Sequence, residues 1–93
     1  MRKEPIRSIR GSRKRVTVYG VAGFPKCEAL RRYLSDRGIP VRWKDVAQNE
    51  LAMTELAELT GGRAPVPVVV IGKNVLIDPD PRQWTSILRK VRP

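Results

Sequence analysis

The run Val66-Pro67-Val68-Val69-Val70-Ile71 has no polar side chain on either of its alternating faces. A half-exposed strand alternates apolar and polar residues, because successive side chains point to opposite sides of a sheet. A strand without that alternation has to be covered on both sides. This chain therefore needs a sheet with helices above and below it, built from only 93 residues. That length suits one small domain with one modest core.

The other segments supply those layers. Val16-Thr17-Val18-Tyr19 is rich in β-branched and aromatic residues and predicts a first strand. After a loop over residues 20–25, Cys27, Leu30 and Leu34 recur at helical spacing, with Ala29 and Tyr33 widening the stripe. Gly38 is placed to end that helix. Val41-Arg42-Trp43 predicts a second strand, ending at Asp45. Asn49 can cap the next helix, whose apolar stripe is Ala52, Met53, Leu56 and Leu59, and Gly61-Gly62 stops it. Beyond the apolar run, Lys73-Asn74 makes a turn and Val75-Leu76-Ile77 a partner strand. Asp80-Pro81-Arg82-Gln83 then starts a last helix, with Asp at the N-cap, Pro at N1 and Gln at N3. Trp84, Ile87, Leu88 and Val91 give it a buried face, and Trp43 and Trp84 both read as core or half-core residues.

The order is β-α-β-α-β-β-α. A crossover helix makes the first two strands parallel, so the expected fold class is α/β, three layers around a four-stranded mixed sheet.

Composition narrows the chemistry. Cys27 is the only cysteine, so no internal disulfide can form, and there is no histidine. A zinc site and any catalysis that needs imidazole are not expected. No apolar stretch approaches the roughly 20 residues of a membrane span, and no secretory leader is read at the N-terminus. A free thiol and no leader fit a reducing cytoplasm.

The net charge of +10 is uneven. Arg2, Lys3, Arg7, Arg10, Arg13, Lys14 and Arg15 stand against Glu4 alone, which puts +6 into the first fifteen residues. Residues 1–14 therefore read as a basic, disordered tail ahead of a domain over residues 15–93. The tail is either a solubilising arm or a weak, non-specific contact to nucleic-acid phosphates. No interleaved aromatic residues accompany it, so base recognition is not expected.

Residues 16 to about 90 resemble a glutaredoxin of the thioredoxin-like fold, in particular the bacterial subgroup of NrdH-type redoxins and mycoredoxins. The resemblance rests on a strand ending in Tyr19, four loop residues, Phe24-Pro25-Lys26-Cys27 opening a helix, Gly38-Ile39, Asp45-Val46, Thr60-Gly61-Gly62-Arg63, Val66-Pro67, residues 68–72, Val75-Leu76 and Asp80-Pro81. In the family register the two cysteines of a C-x-x-C site fall on Phe24 and Cys27, and a cis-proline falls on Pro67. The resemblance implies thiol–disulfide exchange without a cofactor or metal, by a monomer. It also implies a groove formed by Phe24, Pro25, Lys26, Val66, Pro67, Asp78 and Asp80, taking a thiol protein or an extended peptide.

This sequence departs from the pattern where it matters for chemistry. Phe24 stands at the nucleophile, and Val21 and Ala22 stand where a basic residue is common. Asp78-Pro79 replaces a flexible glycine, and Pro65 has no amide to donate. Weak or degenerate redox activity follows, with Cys27 in the resolving position as the only candidate catalytic thiol. The alternative is a non-catalytic peptide-binding module. Two readings of Cys27 stand side by side. The first helical turn and neighbouring Lys26 favour a thiolate, whereas its place beside Leu30 and Leu34 on the apolar stripe favours a packed, inert thiol.

Overall fold

A computed structural model describes residues 15–91. The first strand, β1, is Val16–Gly20, followed by helix α1 over Pro25–Asp36, β2 over Val41–Asp45 and α2 over Glu50–Thr60. The second half adds β3 at Val68–Ile71, β4 at Asn74–Ile77, a 3-10 turn at Pro81–Gln83 and α3 over Trp84–Val91. The sheet order is β2-β1-β3-β4. β1 runs parallel to β2 and antiparallel to β3, which runs antiparallel to β4. The expected β-α-β-α-β-β-α order and mixed four-stranded sheet are both present.

Alternation along the strands sorts the core into two layers. Val16 and Val18 of β1 and Val69 and Ile71 of β3 face α1 and α3, packing with Leu30, Leu34, Ile87 and Val91. Tyr19 and Val68, one residue out of phase, face α2 and pack with Ala52 and Leu56. Each fully buried Leu, Ile or Val contributes about 1.5–3 kcal/mol, so the fold rests mainly on these two sheets of contacts.

Local signals hold the elements in place. Gly38, just beyond α1, has φ +70, and Gly61 closes α2 at φ 73 with its N–H donating to the Ala57 carbonyl. Asn49 caps α2 by accepting the Ala52 N–H. Asp80 accepts the Arg82 N–H, and Gln83 Oε1 accepts the Asp80 N–H, completing the capping box before α3.

Three expectations need correction. The apolar run predicts strand from Val66, but β3 begins at Val68, after a cis Val66–Pro67 peptide bond. Proline has no N–H for the ladder. Met53 was placed on the apolar stripe of α2, yet it is 38% exposed, and Thr60 is buried instead. Thr60 can sit inside because its hydroxyl donates to the Leu56 carbonyl. Ala29 is exposed rather than part of the α1 stripe, because it opens onto the groove described below.

A polar clamp ties β1, β2 and α2 together. Tyr19 Oη donates to Glu55 Oε1 at 3.0 Å, and Lys44 Nζ reaches the same oxygen at 2.7 Å. The Lys44 and Tyr19 bonds hold the Glu55 carboxyl below its ordinary value of 4.5. A depressed carboxylate contributes stability that is present above pH 4.5 and lost as pH falls through its lower folded value. Tyr19, raised by burial and by the Glu55 bond, and Lys44, raised by Glu55, give the opposite limb, lost as pH rises past about 10. Glu55→Gln should flatten both limbs, read as urea midpoint against pH. An acid limb unchanged in Glu55→Gln would assign the sensitivity to other carboxylates.

Among the described residues no helix is long and apolar enough to cross a membrane. Arg2, Lys3, Arg7, Arg10, Arg13 and Lys14, and so the expectation for the tail, lie outside the described residues. Arg15 is described and is exposed just before β1.

Candidate functional site

The site forms where the N-terminus of α1 meets the segment after β4. Phe24 occupies the N-cap position of α1 with extended backbone and makes no side-chain cap, and Pro25 is the first helical residue. The loop before it is held by two carboxylates. Asp45 Oδ2, at the end of β2, accepts the Ala22 N–H at 3.2 Å, and Glu28 Oε2 accepts the Gly23 N–H at 2.9 Å. The Phe24 N–H closes a turn onto the Val21 carbonyl. The phenyl ring, 42% exposed, stands at the lip.

Opposite α1, Asp78 follows β4 with φ 47, a left-handed conformation that Asp tolerates better than most residues. Its N–H donates to the Pro67 carbonyl at 2.8 Å, which draws the chain after β4 against the start of β3. Its carboxylate meets Lys26 Nζ at 3.2 Å, an exposed ion pair joining the two walls. Between the walls lies a groove of ≈ 530 Å³. It is lined by Pro25, Lys26, Pro67, Asp78 and Asp80, together with Ala29, Pro79, Pro81 and Trp84.

Five of the seven groove residues expected from the sequence thus share one cavity. Phe24 stands at its lip, and Val66 packs against the layer beneath α2 rather than lining it. Trp84 was read as a core residue, but it also lines the groove, its Nε1–H donating to the Pro79 carbonyl at 3.1 Å. The capping box at Asp80 was the available signal, because it fixes where the first turns of the helix stand.

Cys27 lies in the same helical turn but does not reach the surface. It has 0% exposure. A methyl group built on Gly20 would meet Cys27 Sγ at 3.0 Å and Trp43 Cη2 at 2.9 Å, so sulfur and indole are both packed onto the Gly20 backbone. Only glycine fits there. Burial pushes the thiol up, and the Glu28, Asp78 and Asp45 carboxylates add to this against the lowering effect of the Val21 backbone hydrogen bond. The expectation that Lys26 and the helix start would favour a thiolate is therefore corrected. Lys26 is engaged with Asp78, and desolvation outweighs the helix dipole.

A thioredoxin-like three-layer sheet, with a proline-lined groove at the start of its first helix, defines the class. The family model described as Glutaredoxin matches residues 16–76, well over half of the chain. The chain belongs to the glutaredoxin family, a family of thiol–disulfide oxidoreductases. The NrdH-redoxin of Escherichia coli is similar at 25% identity, over 78% of this chain and 93% of that one, with a TM-score of 0.65. The glutaredoxin of Archaeoglobus fulgidus is 19% identical over 92% of this chain and 97% of that one, with a TM-score of 0.70. The thioredoxin-like protein BC3987 is 19% identical over 78% and 99%, also at 0.70. Below 25% identity these likenesses speak for the fold alone. No curated protein matches the chain.

Proposed function

We propose that this chain is a glutaredoxin-family domain without disulfide turnover of its own, which uses the groove beside Pro67 to hold an extended peptide segment of a partner protein. The observation that carries the reading is the state of the one thiol. Exchange requires a thiolate that can reach a disulfide sulfur. Cys27 is buried, with its acidity suppressed. The exposed position three residues earlier, where the family's first cysteine falls, is a phenyl ring. Such a ring cannot attack sulfur, but it can cover an apolar side chain laid across the lip.

The groove favours an extended occupant. Its prolines and Trp84 present rigid apolar surface, while Lys26, Asp78 and Asp80 place charge at its walls. Such surfaces bind backbone in an extended conformation with little ordering cost.

Titration of the native chain with dithionitrobenzoate tests the redox half of this reading. The thiol should stay silent for minutes in buffer and react stoichiometrically once denaturant is added. A native thiol that reacts at the rate of a free cysteine, or reduction of a model disulfide that Cys27→Ser abolishes, would restore the chain to the active redoxins.

A further inference from the structure

Charge is segregated between the two helical layers. Helix α2 carries Glu50, Glu55 and Glu58 and no Lys or Arg. The opposite layer carries Arg31, Arg32 and Arg37 at α1 and Arg89 and Lys90 on α3, against Glu28 and Asp36. Glu28 is already bonded to the Gly23 N–H. None of the five cations is in a salt bridge among the described residues, where the ion pairs are Lys26–Asp78, Lys44–Glu55 and Arg82–Asp80.

Two of these arginines are held flat against aromatic rings. The Arg31 guanidinium lies 5.1 Å from the Trp43 ring centroid. That of Arg37 lies 3.7 Å from the Tyr33 ring, and its Nη1 donates to the Tyr33 carbonyl at 3.2 Å. Both side chains are exposed, so each presents a fixed planar cation to solvent. Beside Arg31, between the end of α1 and β2, a cleft of ≈ 410 Å³ is lined by Trp43, Ile39, Pro40 and Ser35.

We propose that the α1–α3 layer is a binding surface for single-stranded nucleic acid. Arg32, Arg37, Arg89 and Lys90 meet backbone phosphates, and a base stacks on the Arg31 guanidinium at the mouth of the Trp43 cleft. Phosphates need several cations on one face without competing carboxylates, which this layer supplies and α2 does not. Bases stack on arginine planes as on aromatic rings, and an arginine already flattened on an indole loses little freedom on doing so. The surface belongs to the folded domain and is distinct from the basic residues at the N-terminus.

The test uses the full chain and a fluorescein-labelled oligouridylate of about twelve nucleotides, a length within the range covered by small single-strand binders. Arg31→Gln, Arg37→Gln and Arg89→Gln are combined in one variant. Arg42→Gln, Arg63→Gln and Lys73→Gln, all exposed residues outside this layer, form a control with the same change in net charge. Thermal melts establish that both are folded. The layer variant should lose on the order of tenfold in affinity, and its log–log salt slope should shrink by about 2, at roughly 0.7 per lost phosphate contact. The control should stay close to wild type. Equal losses in both variants, or none in the layer variant, overturn the proposal. So does a chain that leaves the oligonucleotide free at physiological salt while pelleting with phosphatidylserine vesicles through the same three arginines, since that assigns the face to a membrane.

Discussion

Phe24→Cys is expected to give the chain a disulfide-reductase activity. The substitution puts a thiol at the N-cap of α1, where the present side chain is already 42% exposed. A cysteine at a helix start has its thiolate stabilised by the free N–H groups and the dipole. Lowering its pKa from about 8.5 to about 7 raises the thiolate fraction at neutral pH by roughly tenfold or more. The new thiolate attacks a substrate disulfide, forming a mixed disulfide and releasing one substrate thiolate. Cys27 lies three residues on, a neighbour across the first helical turn, and approaches from inside the fold rather than from solvent. Its thiol gives up a proton and attacks the sulfur at position 24. The second substrate thiol leaves, and an internal disulfide remains for dithiothreitol to reduce. Turnover of a model disulfide should therefore rise about tenfold or more above the thiol background. Phe24→Cys combined with Cys27→Ser should stall at the mixed disulfide, visible as an added mass. No gain in Phe24→Cys would mean that the site has lost more than its nucleophile, for instance through Asp78-Pro79 on the facing wall.

Leu56→Ala should cost about 2–5 kcal/mol, the usual range for emptying a buried leucine site. Leu56 has 0% exposure and packs beneath the sheet with Tyr19, Val68 and Ala52. In a domain whose whole stability is of order 5–15 kcal/mol, that is a large fraction of the total. Met53→Ala, one turn earlier on the same helix, should stay within about 1 kcal/mol because its side chain is 38% exposed. Urea midpoints of the two variants compare the faces of α2 directly. Equal losses would mean that the helix is rotated toward the stripe read from its spacing, with Met53 inside.

That pair also marks where reading the sequence stops. The existence and order of the elements were legible, because they follow from local chemistry. β-branched runs made the strands, while Asn49, Asp80, Gly38 and Gly61 set helix ends through bonds to their own neighbours. The two-sided cover of β3 followed from its lack of a polar face. Which side of α2 faces inward was not legible, since Met53 and Thr60 flank the same stripe. Only the packed sheet decides that the hydroxyl goes in, where the Leu56 carbonyl accepts it.

The candidate site divides in the same way. The missing nucleophile at position 24 and the residues around the groove could be named from their order along the chain. The state of Cys27 could not. It depends on Gly20 from β1 and Trp43 from β2 closing over one sulfur. The charge face of α1 and α3 likewise needs two helices far apart in sequence to lie on the same side of the sheet. Burial and electrostatic fields sum over neighbours in space, so they are settled only when the chain has brought those neighbours together.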